Sequence, residues 1–248
     1  MAKTFAVAGK GGTGKSTIAA LIVRHLIQRN AGPVLAMDAD PDANLGTLLG
    51  VKPEQSVGDL REELLKNIKS LPAGMSKQAY MEAGLHQIVA ESRGFDLISM
   101  GRGEGPGCYC YLNSLIRKFS EDLAPSYAWV VMDNEAGLEH LSRRTAYSID
   151  TLFVVVNESP LSHDTARRIG SVLGAIKNNV RTTRLITNMV RPERLAEVRQ
   201  RLAAIGMEYA GDVPRDPALE DAVLAGCTIL SLEQSPAIDS VNHIMETL

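Results

Sequence analysis

The sequence predicts an α/β fold: one domain, spanning residues 1–248, with a mostly parallel sheet covered by helices on both faces. Short apolar runs alternate with helix-length segments, which is typical of a parallel sheet built from βαβ units. A glycine-rich loop connects the first apolar run to the first helix. No linker, low-complexity segment or internal repeat divides the chain.

Size and composition fit a soluble protein with one large core. At 248 residues, 45% hydrophobic and 22% charged, the chain is ordinary for a globular α/β domain. Its 26 Lys and Arg against 29 Asp and Glu give a net charge of −3, so we expect no general attraction to nucleic acid or to an anionic membrane. No run has the length of a membrane span or the pattern of a signal peptide, which predicts a cytoplasmic location.

The first strand, loop and helix contain a phosphate-binding motif. An apolar run at residues 4–8 precedes the loop, and a periodic segment at 18–29 follows it. Four residues separate Gly9 from the triplet Gly14-Lys15-Ser16, the spacing of the phosphate loop of nucleotide triphosphatases. Chance would produce these fixed positions in such a chain on the order of one time in a hundred. The alternative, a glycine-rich turn that merely precedes a helix, is therefore disfavoured.

The residue types in this loop suit a nucleotide with Mg²⁺. Glycines let successive backbone N–H groups point at phosphate oxygens, and the helix adds its positive N-terminal dipole. Lys15 would supply a charge for the β- and γ-phosphates, and the Ser16 hydroxyl would ligate Mg²⁺. Thr17 would reach the α-phosphate side. The predicted nucleotide-binding residues of the loop are Gly11, Gly12, Thr13, Gly14, Lys15, Ser16 and Thr17.

Acidic residues gather after the second predicted strand. Residues 34–37 form a short apolar run that leads into Asp38 and Asp40. Ligands of a parallel sheet bind outside the carboxyl ends of its strands, so these carboxylates should lie beside the phosphate loop. The alternative is that Asp42 or Asn44 caps the turn that follows.

A further buried strand is predicted at residues 129–133. It ends in Asp133, the Walker B pattern, and this carboxylate would hold the hydration shell of Mg²⁺. Residues 134–137 would form a second nucleotide-sensing switch. Trp129, at the start of the strand, is expected in the core rather than under a nucleotide base.

Two of the three cysteines lie in a glycine-rich loop, at residues 102–110, after a strand predicted at 95–101. Cys108 and Cys110 are too close in sequence to bond readily to each other, and two thiolates cannot complete a tetrahedral site. A twofold dimer would bring four thiolates together, which suits Zn²⁺ in a tetrahedron or Ni²⁺ in a square plane. The alternative is two unrelated buried thiols. Cys227 is predicted to be a small core residue.

The strand predicted at residues 184–189 contains an asparagine close to its end. The amide of Asn188 can both accept from and donate to the edge of an adenine. The alternative is that Asn188 caps a turn. A last strand at 209–213 is followed by Pro214 and Arg215.

The phosphate loop carries a second lysine, Lys10, between two glycines. Its signature, GKGGTGKS, resembles the deviant Walker A motif shared by the MinD and ParA ATPases, the nitrogenase iron protein and the nickel-insertion ATPases of carbon monoxide dehydrogenase. The resemblance implies a P-loop ATPase in which Lys10 crosses a dimer interface to the partner's nucleotide, much as an arginine finger acts in trans. The alternative is an exposed, solubilising lysine.

The same resemblance assigns roles to residues at other strand ends. It implies that Asp40 orients the attacking water and that Asp38 supports the water shell of Mg²⁺. It also implies that Asn188 reads the adenine base, with Pro214 and Arg215 on the loop that borders it. The implied catalytic residues are Lys10, Lys15 and Asp40.

The cysteine pair restricts the resemblance to one group among these ATPases. Cys108 and Cys110, with residues 133–140, look like the nickel-insertion ATPases of carbon monoxide dehydrogenase or their counterparts for acetyl-CoA synthase. This implies a homodimer that hydrolyses ATP to ADP with Mg²⁺, holds Ni²⁺ or Zn²⁺ between its subunits and serves a nickel enzyme as its client. Hydrolysis would reorganise the switches at 38–46 and 133–140.

Two rival functions are kept as alternatives. The nitrogenase iron protein, an ATP-driven reductase, has a second cluster-binding cysteine where this chain has His140, so an iron–sulfur cluster of that kind is not expected. A positioning ATPase would need a basic amphipathic helix or a basic surface stripe. Residues 231–248 contain no Lys or Arg, so neither a membrane nor a nucleic acid is expected as a partner.

Overall fold

The computed structural model describes residues 2–40, 42–67, 76–101, 126–134, 149–175 and 180–248. Several predicted features lie outside these residues: Cys108 and Cys110, the second switch beyond residue 134, and His140. The sequence also predicts a helix at 112–123, after the cysteine loop, and it too lies outside the described residues.

The described strands form a single sheet with the order β3-β4-β2-β5-β1-β6-β7-β8. Every neighbouring pair is parallel except β3 and β4, which pair antiparallel at one edge. The mostly parallel α/β fold predicted from the sequence is therefore confirmed. The strands are β1 Lys3–Gly9, β2 Val34–Asp38, β3 Ala90–Ser92, β4 Phe95–Ser99, β5 Trp129–Asp133, β6 Ile149–Val156, β7 Val180–Asn188 and β8 Glu208–Val213.

The described helices cover both faces of the sheet, and none of them is long and apolar enough to cross a bilayer. Helix α3 begins with a capping box: the Ser56 hydroxyl accepts from the N–H of Asp59, and the Asp59 carboxylate accepts from the N–H of Ser56. The helices are α1 Lys15–Gln28, α2 Asn44–Leu49, α3 Val57–Lys66, α4 Lys77–Gln87, α5 Pro160–Ala175, α6 Leu195–Ala203, α7 Pro217–Leu224 and α8 Pro236–Glu246.

Alternation along the strands divides the apolar residues between two cores. In β1, Phe5 and Val7 face one side, where α1, α2 and α8 pack, while Ala6 and Ala8 face the other, where α3, α4, α5 and α6 pack. Both faces are buried, which explains why the central strands are nearly continuous in apolar residues.

Two local expectations differ from the structure. The sequence of residues 51–94 predicts helices and loops, but Ala90–Ser92 forms the short edge strand β3, which has no apolar run to mark it. Cys227 is exposed, so its prediction as a core residue is wrong. Helix α7 ends at Leu224, and Gly226 then turns the chain at the surface with a left-handed φ of 72°.

Candidate functional site

Three adjacent strands deliver the predicted phosphate loop and the predicted acidic residues to one edge of the sheet. Strand β1 ends at Gly9, β2 at Asp38 and β5 at Asp133. Asp38 pairs in register with Asp133, and Asp133 pairs with Val7 just before the loop. This register places Asp38 and Asp133 at the same edge of the sheet as the start of the phosphate loop.

The phosphate loop needs glycine at two positions. A Cβ on Gly9 would come within 2.3 Å of the Val155 carbonyl oxygen, and one on Gly14 within 2.2 Å of the Asn188 side-chain nitrogen. Both residues also have φ values, 150° and 85°, that other residues rarely adopt. The backbone of the loop therefore lies close to β6 at Val155 and to β7 at Asn188.

The middle of the loop is open. A Cβ built on Gly11 or Gly12 would meet no atom within 4 Å. The turn closes through Lys10, whose carbonyl oxygen accepts from the N–H of Thr13 at 3.2 Å and from its hydroxyl at 2.8 Å. Lys10 is half-buried, and none of the described carboxylates lies within salt-bridge distance of its ammonium group. The loop geometry thus depends on the Lys10 backbone and leaves its side chain uncommitted.

Asp133 is fully buried, and neither of its carboxylate oxygens has a hydrogen-bond partner among the described residues. Burial raises its pKa to about 6, against the lowering effects of the Ser16 hydroxyl and the Lys15 charge. Ser16 is therefore near enough to favour the charged carboxylate, although its hydroxyl is not in hydrogen-bond geometry with it. A buried polar group without a partner calls for a missing ion or water. The residues present thus fit a hydrated divalent cation at this point.

Asp38 is a second buried carboxylate, and it lies beside Asp133 on the neighbouring strand. Burial and the charge of Asp133 raise its pKa to about 7, while N–H groups of Leu45 and Asp40 lower it. Its two oxygens accept from those N–H groups at 2.8 and 3.2 Å. Adjacent carboxylates with raised pKa values are typical of functional sites.

The same hydrogen bonds correct one sequence-based alternative. Asn44 is the first residue of α2 rather than its cap, and the Asp38 carboxylate accepts from the N–H of Leu45 in the first turn of the helix. Asp40 is half-buried and accepts from the N–H of Asp42 at 3.0 Å. The backbone N–H groups of Asp40, Asp42 and Leu45 are thus bound by the carboxylates of Asp38 and Asp40.

A cavity of about 420 Å³ adjoins the phosphate loop on the side of β7 and β8. The predicted residues Thr17, Asn188, Pro214 and Arg215 all line it, so the structure brings them together. The rest of its lining is mainly apolar, which suits the flat ring of a base. The apolar residues are Leu21, Met189, Val213, Leu219, Val223, Leu224 and Ala237.

Asn188 has a role that the sequence does not reveal. Its side-chain nitrogen donates to the carbonyl oxygen of Thr13 at 2.8 Å, and the side chain is buried. The amide therefore bonds the phosphate loop, not the turn that follows β7. No group among the described residues donates to its side-chain oxygen, which leaves an acceptor for a ligand.

Trp129 lies at the opposite end of β5 from Asp133. Its ring stacks on Phe5 with centroids 5.2 Å apart, and its indole N–H donates to the carbonyl oxygen of Ala31 at 2.9 Å. Trp129 is half-buried and packs against the edge of one core, so the expected core position is met only in part. Within the described ranges, no group of three or more His, Cys, Asp and Glu could hold a metal ion.

Comparisons with known proteins agree with this geometry. Residues 4–229 match the family model described as the CobQ/CobB/MinD/ParA nucleotide binding domain. An uncharacterized ATP-binding protein of Methanocaldococcus jannaschii is 36% identical over 246 residues, covering 98% of this chain and 97% of the relative. The carbon monoxide dehydrogenase accessory protein CooC of Rhodospirillum rubrum is 30% identical, covering 97% and 93%. A crystal structure of a ParA family ATPase from Chlorobium tepidum has a TM-score of 0.74 at 21% identity, covering 97% and 96%, a likeness of fold.

Proposed function

The chain belongs to the CobQ/CobB/MinD/ParA family of nucleotide-binding domains, and on that premise we propose that it is a Mg²⁺-dependent ATPase that delivers nickel to a metalloenzyme. The observation that carries the ATPase part is the buried, unpartnered Asp133 carboxylate beside Lys15 and Ser16. The client part rests on the Cys108 and Cys110 pair and on the similarity to a carbon monoxide dehydrogenase accessory protein.

In this proposal the loop binds the phosphates and the strand ends hold the cation. The N–H groups of residues 11–14 face the phosphate oxygens, and Lys15 adds its charge. Ser16 would hold Mg²⁺ through its hydroxyl, and the carboxylates of Asp38 and Asp133 would accept hydrogen bonds from water bound to the ion. Mg²⁺, when bound, offsets the negative charge of the phosphates.

The remaining steps concern water and the partner subunit. Asp40 orients the attacking water, and Lys10 of each chain reaches the nucleotide of the other. The N–H of Asp40 donates to the Asp38 carboxylate, and the Asp40 carboxylate accepts from the N–H of Asp42. Loss of the γ-phosphate can therefore move Asp38 and Asp40 together.

The base lies in the cavity between the loop and β8. Asn188 fixes the loop through Thr13 and offers its side-chain oxygen to the adenine amino group. Pro214 and Arg215 border the base. Arg215 is held in place by Glu220, with two N–O distances of 2.9 Å.

Replacing Asn188 by alanine is expected to weaken ATP binding by about tenfold, because one buried hydrogen bond and one base contact are lost together. Binding of ATP and GTP should be measured by calorimetry for the parent and the variant. If Asn188 reads the base, ATP loses more affinity than GTP. An equal loss for both nucleotides would mean that Asn188 only supports the loop.

Nickel is the cargo in this proposal. Cys108 and Cys110 from two chains supply four thiolates, which suit Ni²⁺ or Zn²⁺. Nucleotide binding joins the chains and hydrolysis releases them, so the metal is held or freed with the state of the nucleotide.

Replacing Cys108 by serine is expected to abolish metal binding, whereas replacing Cys227 by serine should leave it unchanged. Cys227 is exposed and lies outside the cysteine pair, so it controls for adventitious binding to a free thiol. Metal content and the molecular mass of the protein in solution, which reports dimer formation, should be measured after dialysis against Ni²⁺ or Zn²⁺, with ADP and with ATP. The proposal expects one metal per two chains in the parent. Equal retention of metal by both variants would contradict it.

A positioning ATPase remains the second candidate, since the family includes MinD and ParA. Helix α8 argues against membrane docking, because its apolar residues are buried and pack with α1 and β8. Sedimentation with anionic vesicles or DNA that depends on ATP would instead favour positioning. Iron absorption after anaerobic purification would favour an iron–sulfur reductase.

A further inference from the structure

A second cavity lies at the opposite end of the sheet from the nucleotide site. Its volume is about 540 Å³, within the range of small-molecule sites. It forms where the first residues of β1, β5, β6 and β7 meet the ends of α1 and α8. We call it the basal cavity and define it by Lys3, Phe5, Trp129, Arg29, Arg181 and Glu246.

The floor of the basal cavity is aromatic. Phe5 and Trp129 stack with centroids 5.2 Å apart and an interplanar angle of 29°. The bond from the Trp129 indole to Ala31 fixes the larger ring. Leu26 and Met245 add aliphatic surface. Such a floor favours a ligand with a flat, apolar body.

The rim is mainly cationic in a chain whose net charge is −3. Four Lys and Arg side chains line the cavity against two carboxylates, Asp150 and Glu246. The four cationic residues are Lys3, Arg29, Arg181 and Arg184.

Two of these cations are not committed to a close ion pair. Lys3 has no carboxylate partner among the described residues, and its ammonium nitrogen lies 5.2 Å from the Trp129 ring centroid. Arg181 is 3.9 Å from Asp150, whose other oxygen accepts from the N–H of Thr4 at 2.8 Å. By contrast, Arg184 pairs with Glu208 at 2.8 Å, and Arg29 pairs with Glu246.

We propose that the basal cavity binds a small organic anion with an aromatic body. The ring packs against the exposed part of the half-buried Trp129, which Phe5 supports from beneath, and the anionic group lies at the rim with Lys3 and Arg181. The negative ends of α1 and α8 oppose an anion here, so the affinity should be modest. This site is separate from the proposed ATPase activity and does not depend on it.

Trp129 reports on this site because it is the single tryptophan of the chain. Its fluorescence should be titrated with 4-phenylbutyrate while Mg²⁺ and ADP are present to occupy the nucleotide site. We expect a saturable change with a dissociation constant on the order of 1 mM. The neutral 4-phenylbutan-1-ol should bind more weakly than 4-phenylbutyrate, by a factor of about five or more.

Charge variants test the rim in both directions. The double variant Lys3→Gln with Arg181→Gln should weaken binding of 4-phenylbutyrate about fivefold, and Glu246→Gln should strengthen it because Arg29 is released. Arg201→Gln, on α6 and paired with Glu197, is the matched control and should change nothing. Equal binding of the alcohol and the acid, or unchanged binding by the double variant, would overturn the proposal. Competition by ADP would also overturn it.

Discussion

Replacing Lys10 by alanine is expected to lower ATP turnover by about 1,000-fold or more, the effect of removing a cation supplied in trans. ADP binding should stay within about threefold of the parent, because the loop is closed by the Lys10 carbonyl oxygen, which alanine retains. The Lys10 ammonium has no carboxylate partner among the described residues, so its removal costs little stability. Steady-state hydrolysis and ADP titration measure the two effects separately.

A mixing experiment decides whether Lys10 acts across a dimer. The partner variant is Asp40→Asn, which in our account cannot orient the attacking water. A heterodimer of the two variants has one complete site, with Asp40 from one chain and Lys10 from the other. A random mixture should therefore recover about a quarter of the parent rate. No recovery, with dimers present, would show that Lys10 acts within its own chain or not at all.

Replacing Asp133 by asparagine should stabilise the nucleotide-free protein at pH 8 by as much as about 3 kcal/mol and yet abolish hydrolysis. The pKa of Asp133 is about 6 in the folded protein, against 3.8 for an ordinary aspartate. Between these values the folded state holds a proton that the unfolded state releases, so stability falls as the pH rises from about 4 to about 6. Above that window the parent carries the full penalty of a buried charge, which asparagine avoids.

The measurement is urea unfolding between pH 4 and pH 8 with a chelator present. The gain from Asp133→Asn should shrink towards zero near pH 4, where the parent carboxyl is already neutral. Asp221→Asn, at an exposed position on α7, is the control and should stay within about 0.5 kcal/mol at every pH. A variant less stable than the parent at pH 8 would show that Asp133 has a stabilising partner.

The nucleotide site could be predicted from the sequence because its geometry follows from spacing and topology. Four residues between Gly9 and Gly14 set the size of the loop, and adjacent parallel strands place Asp38 and Asp133 beside it. Both relations can be deduced from the order of short segments along the chain.

What escaped prediction depends on contacts between distant or unmarked residues. The bond from Asn188 to Thr13 joins positions 175 residues apart and has no local signal. The bond from the N–H of Leu45, in the first turn of α2, to the Asp38 carboxylate spans seven residues and likewise has no local signal. Strand β3 contains only Ala-Glu-Ser and is specified by its partner β4 rather than by its own residues.

Nickel transfer to an enzyme client tests the central claim most directly. Nickel-free carbon monoxide dehydrogenase should be incubated with ATP and with this protein carrying one Ni²⁺ per two chains, and its activity followed. We predict activation that requires ATP hydrolysis and Cys108, so that Asp40→Asn and Cys108→Ser both fail while Cys227→Ser succeeds. Equal activation by the Cys108→Ser protein, or by the same amount of free Ni²⁺, would contradict the account.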